Sequence, residues 1–146
     1  MKKIIAAAVA GIGILAGTLA IAADDPIAVR QSLMKNNGAA AGALGKMAKG
    51  EVAFDAVAAQ LALRTIHAVS FAYGHYFPEG SQTGMDTKAL PAIWSDRAGF
   101  DAALAKLQDA AKAAVASPPA TREELGATMG SIGGACGGCH KAFRAS

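Results

Sequence analysis

Four apolar stripes of helical period, each cut short by a helix breaker, fill the chain from Pro26 to its end. Few architectures satisfy that pattern. The first stripe runs through Ile27, Gln31, Met34, Gly38, Ala41, Leu44 and Ala48. Asp25 and Pro26 signal its start and Gly50 its stop, which predicts a helix over Pro26 to Lys49. The second covers about Ala53 to Tyr76. Phe54, Val57, Leu61, Ala68 and Phe71 form its stripe, with Ile66, Val69 and Tyr73 beside it. Phe77-Pro78-Glu79-Gly80 stops it, and a polar loop from Ser81 to Lys88 follows. The third starts near Pro91 and carries Ile93, Arg97, Phe100, Leu104, Leu107, Ala111 and Val115 as far as Ser117-Pro118-Pro119. The fourth opens on Thr121-Arg122-Glu123-Glu124, a capping box. Leu125, Met129, Ile132, Cys136, Cys139 and Phe143 then recur at helical spacing. No alternating run rich in β-branched residues interrupts the series, so strands are not expected. The expected fold is all-α: an antiparallel, up-down-up-down four-helix bundle in one domain.

An apolar content of 53% would suggest a membrane protein. Much of that excess lies in Ile4 to Ile21, behind Met1-Lys2-Lys3 and ahead of the small residues Ala20-Ile21-Ala22. This is the layout of a secretory signal peptide, cleaved after Ala22 to leave residues 23–146 as the mature domain. No later segment is long and apolar enough to span a bilayer. The mature protein is expected to be exported to a bacterial periplasm, where cysteines oxidise readily. Losing Lys2 and Lys3 lowers the formal net charge from +3 to about +1, which leaves no basic footprint for nucleic acid.

Cys136-Gly137-Gly138-Cys139-His140 holds the only two cysteines of the chain. C-x-x-C-H is the attachment pattern of a c-type haem. Two thiols add across the two vinyl groups of the porphyrin, and a three-residue step on a helix brings both sulfurs to one edge of the ring. His140 follows directly, so its imidazole can point at the iron as the proximal axial ligand. Other readings fit less well. A thioredoxin-like pair belongs between a strand and a helix. A zinc site lacks an obvious fourth ligand. A disulfide across three residues of a regular helix would be strained. The expected cofactor is one covalently bound haem c with its iron.

The same helix is rich in glycine, with Gly126, Gly130, Gly133, Gly134, Gly137 and Gly138 in or near it. Each interior glycine costs about 0.8–1.0 kcal/mol relative to alanine. A haem packed along this helix would offset that deficit, and small residues would let the ring approach the backbone. The apoprotein is accordingly expected to fold poorly.

The far side of the iron decides the function. Candidate ligands are Met34, Met47, Met85, Met129, His67 and His75. Met129 shares a helix with His140, Met85 sits in a polar loop, and His67 lies off its stripe. His75 is near a helix end. In an antiparallel pair the start of helix one is level with the end of helix four, so Met34 stands at the height of His140. Met47, nearly four turns on, does not. The pattern leaves Met34 either a ligand or an ordinary core methionine. Arg30, one turn earlier, is either a haem propionate contact or a solvated arginine.

Several segments together resemble the cytochrome c-prime family, and within it the low-spin branch of cytochrome c-556. They are Arg30-Gln31-Ser32-Leu33-Met34-Lys35-Asn36-Asn37-Gly38, Phe77-Pro78-Glu79-Gly80, Ile93-Trp94 and Cys136-x-x-Cys139-His140-x-x-Phe143-Arg144. The resemblance implies thioethers at Cys136 and Cys139 and iron ligation by His140. It also implies a basic residue, Arg144, beside the proximal ligand, and distal ligation by Met34. Members of the family pair through helices one and two, where Ala39, Ala40, Gly42 and Ala43 would permit close packing of a homodimer.

Two functions follow as expectations. One is a periplasmic one-electron carrier with His/Met-ligated, low-spin haem, which docks transiently on redox partner proteins. The other is a five-coordinate, high-spin protein that binds or buffers small gases such as NO and CO, its open site guarded by Leu33 or Asn37. An enzyme is not expected: the chain shows no paired carboxylates, nucleophile–base pair or phosphate loop. Lys35 and Asn37 read as solvated helix residues.

Overall fold

The computed structural model describes residues 25–146. The leader expected over residues 1–22 lies outside the described residues. Helix α1 spans Pro26–Lys49. Asp25 caps it by accepting from the Ile27 N–H at 2.7 Å, and Gly50 ends it at φ 75°. That left-handed turn sends the Glu51 N–H back to the Lys46 carbonyl at 2.9 Å, which satisfies a carbonyl the helix end would leave open. Helix α2 spans Ala56–Tyr73 and is capped by Asp55, three residues later than the apolar pattern suggested, because a carboxylate is there to receive the Val57 and Ala58 N–H groups. A 3-10 turn over Gly74–Tyr76 extends it.

The third predicted helix is in fact two, α3 over Ala92–Ser95 and α4 over Arg97–Ala116. Asp96 leaves helical geometry (φ −127°, ψ 61°) and caps the second piece through the Gly99 N–H. The hydrophobic period runs straight through this break, so only the capping chemistry of aspartate marks it. Helix α5 spans Arg122–Phe143, with Thr121 accepting from the Glu124 N–H. The Glu124 carboxylate accepts from Ala120, one residue before the cap.

The four long helices form a ring in which α1 packs on α2 and α5, and α4 packs on α2 and α5. This is the expected four-helix bundle. No helix among the described residues is long and apolar enough to cross a membrane. The interior is split. One cluster gathers Leu44, Met47, Leu63, Ile66, Leu107, Leu125 and Ile132 at one end. A smaller aromatic cluster gathers Phe77, Ile93, Phe100, Leu104 and Phe143 at the other. Phe100 stands edge-on to both Phe77 and Phe143, at 4.9 and 5.5 Å between centroids.

The stripe expected to bury on α2 is not the one that buries. Ala59, Leu63, Ile66, Val69 and Ser70 face the core. Val57, Leu61 and Phe71 are 69%, 63% and 49% exposed. A helix apolar on two sides has no unique inner face by periodicity. Ser70 sits on the buried side because its hydroxyl donates to the His67 carbonyl and its own carbonyl accepts from Gln108.

A Cβ added at any of the six glycines of α5 would meet nothing within 4 Å among the protein's own atoms. The cavity described below is lined by one glycine, Gly38 on α1.

Candidate functional site

A cavity of about 520 Å³ is lined by members of both clusters, within the ~300–1,000 Å³ usual for cofactor sites. Helix α5 contributes Cys136, Cys139, His140 and Phe143, with Arg144 just after it, and α1 contributes Arg30, Met34, Asn37, Gly38 and Ala41. Phe100, Leu104 and Leu107 of α4, Tyr73 and Ile93 complete an apolar wall. The cysteines straddle the division: Cys136 packs against the larger cluster and Cys139 against the aromatic one.

Both thiols are free and half-buried. Burial pushes each above the ordinary thiol pKa, and the neighbouring Cys136 raises Cys139 further. Burial lowers the pKa of His140, and the Arg144 charge lowers it again. The imidazole is thus held neutral with a ring nitrogen lone pair to offer, as a metal ligand requires. Tyr73 is pushed up to about 12, chiefly by burial. It packs edge-on to Phe77 at 5.0 Å.

Of the six side chains considered opposite His140, Met34 alone lines the cavity. Met47 and Met129 pack into the larger cluster. Met85 is exposed in the loop. His67 packs tilted against Phe71 at 4.9 Å between centroids, and His75 is exposed on the 3-10 turn.

Arg30 is 2% exposed and is a structural clamp. Its terminal nitrogens donate to the Tyr76 carbonyl, the Ser81 hydroxyl and carbonyl, and the Thr87 hydroxyl at 2.7–3.2 Å. Its guanidinium lies 4.8 Å from the Phe77 ring centroid and 5.7 Å from that of Trp94. These bonds use the four terminal N–H groups, so only Nε–H is left for the propionate contact read from the sequence. The solvated alternative is overturned outright. The clamp holds a loop in which Met85 and Asp86 take positive φ (47° and 53°), a conformation that needs outside support. Gln31 adds to it by donating to the Met85 carbonyl at 2.7 Å. The far end of the loop pairs with the segment after His140: Leu90 N–H bonds the Phe143 carbonyl and Ala145 N–H the Lys88 carbonyl. One residue of helix α1 thus fixes the loop that braces the proximal end of α5. Removing the fork strands several buried acceptors, so Arg30→Leu should cost about 2–4 kcal/mol, read as a lower urea midpoint of the holoprotein. Arg30→Lys should recover only part of it, because an ammonium cannot span the same acceptors.

The cavity fits a haem on its own features. It has apolar walls, two thiols a helical step apart, a neutral imidazole beside them and a methionine on α1. The Asn37 Oδ1 on its wall is fully enclosed without a partner. Sequence reading missed the burial of Asn37 and the part played by the loop from Thr87 to Ala89, because polar composition alone points such residues outward.

The pattern of the family described as Cytochrome C' matches residues 25–144. A cytochrome c' of Rhodopseudomonas palustris is 40% identical over 145 residues, 98% of this chain and 97% of that protein. A cytochrome c-556 of Agrobacterium fabrum is 38% identical over 125 residues, 86% of this chain and 84% of that protein. The solved structure of cytochrome c' from Rhodopseudomonas palustris superposes with a TM-score of 0.80 at 40% identity, covering 85% of this chain and 98% of that one. The chain belongs to the cytochrome c' family, whose members bind one covalent c-type haem, and its Cys136 and Cys139 fit the C-x-x-C-H attachment motif.

Proposed function

We propose that the protein is an exported one-electron carrier with a six-coordinate, low-spin haem held between His140 and Met34. One observation carries the reading. Met34, alone among the candidate distal ligands, lines the cavity that also receives Cys136, Cys139 and His140. The bound haem would supply a one-electron iron couple, and methionine ligation opposite histidine favours a high potential. Every other step belongs to the chain. Cys136 and Cys139 would anchor the ring by thioether bonds. His140, kept neutral, would bind the iron, with Arg144 beside it. Met34 would close the opposite face, so that both oxidation states keep the same ligands and transfer needs little rearrangement. Arg30 would offer Nε–H and its charge to a propionate. The apolar walls would limit water around the iron, and transient redox partner proteins would need only to reach the haem edge.

The test is the absorption spectrum of the holoprotein. Sharp split bands on reduction, with a sulfur-to-iron charge-transfer band on oxidation, support the carrier. Broad merged bands would replace it with an open, gas-binding iron.

The exposed Val57, Leu61 and Phe71 share a face with Arg64 and Ala68 at alternating four- and three-residue steps, the spacing of a helix seam. With the small residues of α1 they would form the homodimer face. Leu61→Lys should shift the sedimentation coefficient from dimer to monomer while leaving the haem spectrum unaltered. A wild-type monomer would remove the dimer from the proposal.

A further inference from the structure

Asn37 is the polar group for which the site, as read so far, has no use. It is 6% exposed and lies on α1 one turn beyond Met34, lining the same cavity. Its Oδ1 is enclosed and has no hydrogen-bond partner among the described residues. Gly38, Ala41, Leu104 and Leu107 line the same cavity. Asparagine is also a weak helix former. Neither packing nor helix propensity accounts for it, so its partner is whatever fills the cavity.

The face of a porphyrin carries no hydrogen-bonding atom except at the iron's sixth position. Residues three apart on a helix stand about 5–6 Å apart at Cβ, so the Asn37 carboxamide stands beside whatever Met34 places there. The terminal torsion of asparagine is broad and two-fold, so turning the carboxamide over exchanges its oxygen and nitrogen and puts an N–H, which a thioether can accept, in the enclosed place. We propose that Asn37 is a positioning residue for the distal ligand, donating an amide N–H to the Met34 thioether sulfur and so holding it on the iron. A thioether is a weak acceptor, but partners behind a ligand commonly orient it and tune the metal. The proposal rests on the His/Met reading above.

Carbon monoxide titrated into the reduced holoprotein is the probe, since it must displace Met34 and is itself a poor hydrogen-bond acceptor. Asn37→Leu, similar in size and apolar, should bind it about fivefold more tightly, the equivalent of one hydrogen bond of about 1 kcal/mol. The charge-transfer band of the oxidised form should persist but move. If leucine prevents haem loading, Asn37→Ala removes the same bond without adding volume and should give the same tightening. A merely structural asparagine would change the unfolding midpoint and leave both readouts alone. Unchanged affinity and an unshifted band in a haem-loaded variant overturn the proposal. The two readings fail separately. A wild-type protein without the charge-transfer band ends the His/Met reading, and this proposal with it. A band that is present, lost in Met34→Ala and untouched in both Asn37 variants ends this proposal alone.

Discussion

Met34→Ala should abolish the sulfur-to-iron charge-transfer band and turn the sharp split bands of the reduced protein into broad, merged ones. The cavity receives no other thioether or imidazole on the α1 side that could take its place. Met47 is committed to the larger cluster, and Met85 is exposed in a loop held by Gln31. The iron would become five-coordinate, and exogenous ligands would no longer compete with an internal one. If the wild-type site is open ~1% of the time, apparent CO affinity should rise about a hundredfold, the inverse of that fraction. The fold should survive, since Met34 is only half-buried and belongs to neither core cluster. A wild-type spectrum that is already broad, and unmoved by the substitution, would make Met34 a packing residue and gas binding the function.

The double replacement Cys136→Ser, Cys139→Ser should lose the haem from the denatured chain and most of the helical structure with it. Without the haem the apolar walls of this cleft, Phe100, Leu104, Leu107, Ile93 and Phe143 among them, would face water instead of the ring. The burial that would hold α1, α4 and α5 together there is lost. Helix α5 is badly placed to survive, because it carries six glycines, each about 0.8–1.0 kcal/mol poorer than alanine in a helix. Circular dichroism should show reduced helix and a broad, non-cooperative thermal transition. A cooperative, fully helical apoprotein would show that the two clusters sustain the bundle unaided. The intact mass of the wild-type exported chain gives the matching control: it should include the haem after denaturation and lack residues 1–22.

Much of the architecture is legible in the chain because helix signals are local. Asp25, Pro26 and Gly50 bound α1 where the structure does, and Thr121 starts α5 by its own hydroxyl. Each of these acts within one turn, so no distant residue can veto it. Orientation about the helix axis is not local. The apolar residues of α2 lie on two sides, and only the positions of α1 and α4 decide that Leu63 and Ile66 turn inward while Val57 and Leu61 turn out. Asp96 carries the same lesson at smaller scale. Its stripe runs on unbroken, and the carboxylate still ends one helix and begins another.

The site divides in the same way. Cys136, Cys139 and His140 announce their chemistry through spacing on one helix, which sequence fully specifies. Met34 could be placed level with His140 because antiparallel packing converts sequence position into height. Arg30 and Asn37 could not be read so far. Both are polar types that a solvated helix face also carries, and their burial depends on contacts across the bundle. Arg30 meets acceptors 46 to 57 residues away in the chain, and Asn37 lines a cavity that α4 helps to enclose. By itself the sequence determined the helices, their caps and the haem-attachment triad, since each arises from neighbours in the chain. Only the tertiary structure decided which faces bury, which methionine reaches the cavity and which polar groups stand without water, because burial is a property of elements brought together.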